Sequence, residues 1–190
     1  MEPLNYYETA TESPRIIADM MHTHHVKPKR IVTPIGDYPW PVLFAEEFSD
    51  VDILSIDNNP LQIREHRSLV TEVTGRPPKL TNIRDTRDLE KILSGNRVDL
   101  MNMSNISDYL EPEEATQLAQ VLAEFDIRWV ITTHMRNGLT QNGYHPEGSQ
   151  SFVDTLREEG YEIYCISDNS GAYEISEYYL ATMEYLVIGV

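Results

Sequence analysis

The spacing of apolar positions along the chain predicts an alternation of strands and helices. Short, largely apolar runs bounded by polar residues, the pattern of buried strands, lie at residues 30–35, 51–56, 79–83, 98–103, 127–132, 161–167 and 185–190. Apolar residues at helical spacing follow several of these runs. Leu61, Leu69 and Val73 predict the inward stripe of a helix that Gly75 ends, and Leu118, Leu122 and Phe125 that of a helix that Pro112 opens. Ser149 is the expected cap of a further helix that Gly160 ends. Strand and helix therefore alternate five times before a sixth and a closing strand, which predicts a mostly parallel sheet with helices on both faces.

The two ends of the chain add a covering helix and a pair of antiparallel strands to this prediction. Ser13 and Pro14 have the N-cap and first-turn pattern of a helix, and we expect residues 1–28 to form a helical cover over the sheet or its cleft. No segment of helical length separates the last two strands, so we expect them to pair antiparallel. The length of 190 residues predicts one domain over residues 1–190.

An acidic residue ends the second predicted strand. Asp57 follows the run at residues 51–56, and Asn59 with Pro60 then begins a helix as N-cap and first helical residue. In open α/β sheets, ligands bind at the carboxyl ends of strands, and an acid roughly 20 residues beyond the first strand-to-helix turn binds ribose hydroxyls. Asp57 follows Gly36 by about that interval, which makes it the candidate ribose ligand. The alternative is that Asp57 only caps or solvates its turn.

The loop after the first strand departs from the glycine-rich loops that bind phosphate. It contains Gly36 and Asp37, and then a segment with two prolines at positions 39 and 41. A phosphate cradle needs several glycines and free backbone N–H groups, and proline has no N–H to offer. The sequence therefore favours a nucleoside cofactor without phosphate groups.

Two further strand ends carry polar side chains. Asp85 follows the third strand, where a carboxylate can accept a hydrogen bond from an adenine amine, and a solvated loop acid is the alternative. The fourth strand leads into residues 104–109, which bring hydroxyl, amide, carboxylate and phenol groups into six positions. Asp108 is the candidate general base, with Tyr109 orienting it or the acceptor. The alternative is that Asp108 caps the following helix, because Asp is a favoured cap residue.

The charge balance restricts the class of partner. With 31 acidic and 15 basic residues, the formal charge is −16, which repels nucleic acid and favours a small-molecule partner; the acidity also fits a salt-rich habitat or simple solubility. The single Cys165 excludes a thiolate-rich metal site, and the histidines at positions 22, 24 and 25 suit a helix end, so we predict no metal. No apolar run spans a bilayer and the amino terminus lacks a signal pattern, which predicts a cytoplasmic protein.

Over nearly the whole chain, this pattern resembles the class I S-adenosylmethionine-dependent methyltransferase fold. That fold is α/β, a Rossmann-like three-layer sandwich with a mostly parallel seven-stranded sheet and an antiparallel last strand. The resemblance implies S-adenosyl-L-methionine as the cofactor, with the strand ends holding its methionine part, its ribose, its adenine and the reacting centre. In chain order, the implied cofactor-binding residues are Gly36 and Asp37, Asp57 and Asn58, Asp85 and Thr86, and Ser104 and Asn105.

Two local motifs indicate a particular reaction. Residues 57–62 and 104–109 are similar to motifs of the 3-amino-3-carboxypropyl transferases of betaine-lipid synthesis, which use the same cofactor but transfer its aminocarboxypropyl arm. The similarity favours aminocarboxypropyl transfer to a small-molecule acceptor, with methyl transfer as the first alternative. A non-catalytic binding or regulatory protein on the same fold is a further alternative. A dinucleotide enzyme is disfavoured by the first loop, and the sequence predicts no oligomeric state.

Overall fold

The computed structural model describes residues 21–25, 27–35, 40–95, 97–104, 106–135, 145–168, 173–175, 178–180 and 182–188. Residues 133–135 and all those beyond 163 are described by their backbone alone. The chain forms two compact units, one ending at Thr81 and the other beginning at Asn82. The prediction of one domain over the whole chain stays a prediction.

The first unit contains three parallel strands. They are β1 (Arg30–Pro34), β2 (Asp52–Asp57) and β3 (Lys79–Leu80), in the order β3-β2-β1. The parallel pairing aligns Arg30 with Asp52 and Pro34 with Ile56. The middle residues of β1 and β2 are buried in unbroken runs, the pattern of parallel strands that are covered on both faces.

A ladder of aromatic rings runs along helix α1 (Trp40–Glu47) of this unit. Trp40 and Phe44 stack with ring centroids 5.7 Å apart, and Phe44 and Phe48 stack at 6.3 Å. Residues four apart lie on the same side of a helix, so the three rings form one buried stripe. His22 extends the ladder, with its ring 5.6 Å from that of Phe48.

Helix α2 (Pro60–Thr74) begins and ends as the sequence predicted. Asn59 is the N-cap, and its side-chain oxygen accepts a hydrogen bond from the Leu61 N–H at 2.9 Å. Gly75 ends the helix with a φ of 74°, a conformation that glycine adopts without strain, and its N–H donates to the Thr71 carbonyl.

The predicted buried stripe of α2 is wrong. Leu61 and Leu69, expected inward together with Val73, are 52% and 43% exposed, and Val70 is the buried residue of this helix. Each residue step rotates a helix by about 100°, so Leu69 is turned away from the line of Val70, and Leu61 lies on the opposite side of the helix. The inward line instead runs through Val70, with Ile63 and Val73 half-buried.

The second unit contains most of the helices that the structure describes and a mixed set of strands. Its helices are α3 (Thr86–Ser94), α4 (Pro112–Glu124), α5 (Pro146–Glu158) and a 3-10 helix at Ser107–Tyr109. Its strands are β4 (Leu100–Asn102), β5 (Trp129–Met135), β6 (Glu162–Asp168), β7 (Tyr173–Ile175), β8 (Tyr178–Leu180) and β9 (Thr182–Ile188). β7 and β8 form a separate antiparallel pair.

The main strands of the second unit follow the order β4-β5-β9-β6. β4 and β5 are parallel, whereas β9 lies between β5 and β6 and runs antiparallel to both. The two strands that the sequence placed without an intervening helix, β6 and β9, therefore pair directly. α4 packs against α5, and the buried Leu118, Leu122, Phe152 and Leu156 contribute to the core on these helices.

Three features of this unit differ from the sequence prediction. Helix α3 and the β7–β8 pair were not predicted, and α5 begins at Pro146 with His145 as N-cap, whereas the sequence placed its cap at Ser149. The predicted start of α4 at Pro112 is confirmed, with Glu111 as N-cap and its N–H donating to Glu114 at 3.1 Å. Asp108 is therefore not the cap of that helix.

No helix within the described ranges has both the length and the apolar character that are needed to cross a lipid bilayer.

Candidate functional site

Five buried polar residues of the second unit lie close to the carboxyl end of β4 along the chain or on the neighbouring β5. We call them the polar cluster, and each is at most 3% exposed: Asn102, Ser104, Ser107, Asp108 and Thr132. β4 is only three residues long, and the chain turns at its end because the Asn102 side-chain oxygen accepts the Ser104 N–H at 3.0 Å. Sequence reasoning named Ser104 and Asp108 as site residues but missed Asn102 and Thr132.

A pair of hydroxyl groups ties the 3-10 helix to β5. Ser107 Oγ and Thr132 Oγ1 are 2.8 Å apart and buried. A buried hydroxyl that is hydrogen-bonded avoids the desolvation cost of an unpaired one. This pair therefore holds the segment with Asp108 and Tyr109 against β5 at low cost.

Asp108 and Tyr109 differ in their access to solvent. The Asp108 side chain is 0% exposed, whereas Tyr109 is half-buried. The Asp108 carbonyl accepts the His145 N–H at 2.7 Å, which joins the 3-10 helix to the start of α5. A buried carboxyl group needs hydrogen-bond donors or a proton, and the role of Asp108 as a general base stays a prediction.

Helix α5 approaches the same segment closely at Gly148. A Cβ atom on Gly148 would lie 1.8 Å from the Leu110 carbonyl oxygen, a distance that no side chain tolerates. His145 Nδ1 also lies 3.5 Å from Glu111 Oε1. The first turn of α5 is therefore fixed against the residues that follow the 3-10 helix, through contacts that only a structure reveals.

One member of the polar cluster has an unused hydrogen-bonding group. Ser104 Oγ is buried and has no hydrogen-bond partner within the described part of the chain. Leaving such a group unsatisfied costs about 1–3 kcal/mol, so an unsatisfied hydroxyl in a native protein calls for an explanation. A ligand that hydrogen-bonds to Ser104 would explain it.

Asp57 is at the carboxyl end of β2 in the first unit, as predicted from the apolar run before it. One of its side-chain oxygens accepts the Asn59 N–H at 2.8 Å, and its carbonyl accepts the Thr81 N–H at 2.8 Å. Asp57 is half-buried, and Asn58 beside it is exposed. The turn contact that the sequence offered as an alternative is therefore present, and contact of Asp57 with a ribose stays a prediction.

Asp85 has a capping role. It is the N-cap of α3, where its side-chain oxygen accepts the Arg87 N–H at 3.0 Å, and it is exposed. Thr86 is the first residue of that helix. The structure thus places both residues at a helix start, and contact of either with a nucleobase stays a prediction.

Three of the predicted cofactor-binding residues, Gly36, Asp37 and Asn105, lie outside the described residues, as does most of the predicted helical cover. In the part of the chain that the structure describes, no group of three or more His, Cys, Asp or Glu side chains is placed to hold a metal ion.

No protein-family model and no curated protein sequence matches the chain. Solved structures of methyltransferases do match it. Magnesium protoporphyrin IX methyltransferase (ChlM) from Synechocystis PCC 6803 with bound SAH is similar at a TM-score of 0.65 and 11% identity, over 98% of this chain and 89% of that one. N-methyltransferase NodS from Bradyrhizobium japonicum WM9 matches at a TM-score of 0.66 and 11% identity, over 96% of this chain and 95% of that chain.

The methyltransferase domain of bacterial CtHen1-C matches with a TM-score of 0.60 and 14% identity, over 94% of this chain and 99% of that chain. These likenesses extend over almost the full length of both partners in each comparison. The chain therefore has the α/β fold of these methyltransferases, with parallel strands and covering helices.

Proposed function

We propose that the chain is an S-adenosylmethionine-dependent transferase that transfers a methyl group to a small-molecule acceptor. The methyltransferase fold supports the class of enzyme. The observation that carries the proposal is the polar cluster, in which Ser104 keeps a buried hydroxyl without a partner in the described chain. A nucleoside cofactor offers the hydroxyl and amine groups that such a cluster binds.

The residues that would hold S-adenosylmethionine follow from their strand-end positions. Asp57 would accept hydrogen bonds from the ribose hydroxyls, with Asn58 beside it in sequence, and Ser104 and Asn105 would hold the reacting centre. Asp85 and Thr86 would border the adenine, and Gly36 and Asp37 the methionine part. When bound, the cofactor supplies a sulfonium-activated methyl group that needs no metal for its reactivity.

Asp108 and Tyr109 are proposed to serve the acceptor. The protein's task in such a transfer is mainly to align the reactants and, for a protonated acceptor, to remove a proton. Tyr109 is partly exposed and can contact an acceptor directly. Asp108 is buried, so it accepts a proton from an acceptor only through an intervening group or after a shift of the 3-10 helix.

The sequence favoured aminocarboxypropyl transfer, and the similar structures do not support that preference, because their names describe methyltransferases. The similarity of residues 57–62 and 104–109 to aminocarboxypropyl transferases keeps this reaction as the second candidate. Both reactions use the same cofactor and differ in which carbon on the sulfonium is presented to the acceptor.

Product analysis distinguishes these reactions. The protein is incubated with S-adenosylmethionine and a cell extract as the source of acceptors, and the nucleoside product is identified by mass spectrometry. S-adenosylhomocysteine supports methyl transfer, and methylthioadenosine supports aminocarboxypropyl transfer. Neither product, together with cofactor binding, supports a non-catalytic binding protein, and a chain that binds no cofactor contradicts the proposal.

The ribose assignment is tested with Asp57→Asn. This substitution keeps an oxygen for the Asn59 N–H but removes the negative charge, so the turn is retained while the charged hydrogen bonds to ribose are lost. We expect the Kd for S-adenosylhomocysteine, measured by calorimetry, to rise about 10- to 100-fold. Asp154→Asn, the same substitution at an exposed helical site, should leave it unchanged. An equal Kd for Asp57→Asn and the parent would contradict the assignment.

A further inference from the structure

A cation–aromatic contact lies directly beside the residues proposed to serve the acceptor. The guanidinium carbon of Arg84 lies 5.0 Å from the centre of the Tyr109 ring, within the range of a cation–π interaction. Tyr109 is the neighbour of Asp108 in the 3-10 helix, and Arg84 precedes the N-cap of α3. The contact therefore joins the loop before α3 to the segment that carries the polar cluster.

The backbone around Arg84 is held in place by hydrogen bonds to Asn82. The Arg84 N–H donates to the Asn82 side-chain oxygen at 3.3 Å, and the Asp85 N–H donates to the Asn82 carbonyl at 3.0 Å. Asp85 in turn caps α3, and Asp88 binds Lys91 at 2.8 Å. The nearest acids along the chain thus have other contacts, and the loop presents Arg84 from a fixed backbone.

The Arg84 side chain is exposed and forms no ion pair with any carboxylate in the described ranges. Some arginines are paired, since Arg30 and Arg76 both bind Asp52 and Arg157 binds Asp154, whereas Arg128 resembles Arg84 in having no ion pair within the described ranges. The chain has a formal charge of −16, so most of its surface repels anions. The positive charge of Arg84 therefore attracts an anion only at short range.

A guanidinium that lies over an aromatic ring keeps the N–H groups at its edge available. Those donors match the two oxygens of a carboxylate, which they bind in parallel. We infer that Arg84, supported by the Tyr109 ring, binds a carboxylate group of the acceptor and so selects small acidic acceptors. This inference rests on the proposed transferase function and names the substrate class of that site.

A pair of matched probes tests the inference. 4-Fluorobenzoate and 4-fluorobenzamide have the same ring, and only the first carries a carboxylate. Their binding to the protein saturated with S-adenosylhomocysteine is followed by fluorine NMR line broadening. We expect the parent to bind the benzoate more tightly than the benzamide, and Arg84→Gln to weaken benzoate binding about five- to tenfold without changing benzamide binding.

Arg128→Gln is the matched control. Arg128 is also exposed and lies over an aromatic ring, 5.7 Å from that of Trp129, but at the amino end of β5. The Arg128→Gln variant should bind 4-fluorobenzoate as tightly as the parent does. Arg84→Lys keeps the charge but loses the planar donors, so we expect intermediate binding. Circular dichroism confirms that the variants are folded.

The outcomes separate this inference from the proposed function. Equal benzoate binding by Arg84→Gln and the parent, or an equal loss in Arg128→Gln, overturns the role of Arg84 while leaving cofactor binding intact. A loss of S-adenosylhomocysteine affinity in Arg84→Gln, with benzoate binding unchanged, would assign Arg84 to the cofactor's own carboxylate and overturn the inference. A parent that binds no S-adenosylhomocysteine overturns the proposed function, and the inference with it.

Discussion

Two serine residues, Ser55 and Ser104, bury hydroxyl groups that have no hydrogen-bond partner within the described chain. Their relative exposures are 1% and 3%, so the two bear a similar desolvation cost. Their positions differ, because Ser55 lies within β2 and Ser104 beyond the end of β4. Only Ser104 belongs to the polar cluster, so a ligand would relieve the cost at Ser104 and not at Ser55.

Ser104→Ala is therefore expected to weaken cofactor binding without lowering the free energy of unfolding. Removing an unsatisfied buried hydroxyl should leave the free energy of unfolding unchanged or raise it by about 1 kcal/mol. Losing a hydrogen bond to the cofactor should raise the Kd for S-adenosylhomocysteine about three- to tenfold. Urea unfolding and calorimetry measure the two quantities.

Ser55→Ala is the matched control for this prediction. It removes the same group from an equally buried site, so it should affect stability similarly and leave the Kd unchanged. If both variants bind S-adenosylhomocysteine as the parent does, Ser104 does not contact the cofactor.

The ionisation of Tyr161 makes the free energy of unfolding depend on pH in the alkaline range. Its hydroxyl donates to the Ile127 carbonyl at 2.8 Å, and burial raises its pKa from 10.0 to about 12, with Asp126 and Glu159 adding to the rise. The folded state then keeps a proton that the unfolded state releases above pH 10. This stabilising contribution is complete below pH 10 and is lost as the pH rises through about 12.

We expect Tyr161→Phe to lower the free energy of unfolding by about 1 kcal/mol at pH 9, because a buried hydrogen bond is lost. Between pH 10 and pH 12 the parent should lose more stability than the variant, so the two curves converge. Urea unfolding at pH 9, 10.5 and 12 measures this difference. Parallel curves over that range would exclude a raised pKa at Tyr161.

At the residue scale, the sequence indicated the side chains that end apolar runs, such as Asp57, because a strand end is a local pattern. It did not indicate Thr132 or Gly148, whose roles depend on partners 25 and 38 positions away in the chain, at Ser107 and Leu110. A single threonine within an apolar run and a glycine near a helix start have many ordinary uses. Only the packing of β5 and α5 identifies theirs.

At the element scale, the contact of α5 with the residues after the 3-10 helix depends on Gly148. In Gly148→Ala the new methyl group would meet the Leu110 backbone, which cannot rotate away as a side chain does. We expect a loss of about 2–3 kcal/mol in stability, or a fall of roughly 5–10 °C in Tm, because the helix must move. Differential scanning calorimetry measures the change.

Gly95→Ala is the comparison for this prediction. Its Cβ would lie 3.7 Å from the Lys91 carbonyl oxygen, an ordinary contact, and its φ of −81° suits alanine. We expect its Tm to be equal to that of the parent or slightly higher. A Tm for Gly148→Ala as high as that of Gly95→Ala would mean that α5 adjusts without cost.

Helix ends were predicted well where capping residues mark them, as at Asn59 and Gly75. The start of α5 was misplaced, because Ser149 looks like a cap although its hydroxyl donates to the Pro146 carbonyl inside the helix. Helix α3 was missed because its short, charged sequence buries only Leu89 and Leu93. Local signals thus fixed capped boundaries, while tertiary contacts decided which apolar residues turn inward.

At the scale of the whole molecule, the excess of acidic side chains opposes compaction. A formal charge of −16 on 190 residues produces self-repulsion that dissolved salt screens. We expect Tm at pH 7 to rise on the order of 5 °C between 0.05 and 1 M KCl. Thermal unfolding followed by circular dichroism measures it.

The same comparison near pH 4.6, the isoelectric point from the sequence, is the control. Net repulsion is small there, so the gain from KCl should fall to less than about half of its value at pH 7. An equal gain at both pH values would assign the effect to general salting-out of apolar surface.

The position of β9 between β5 and β6 has a consequence for biosynthesis. The ribosome synthesises β5 and β6 before β9. The two earlier strands therefore cannot be joined in the sheet until β9 has been made. Until then each presents an open edge to other polypeptides in the cell. We therefore expect nascent chains arrested before residue 182 to bind chaperones, and released chains that contain β9 not to bind them.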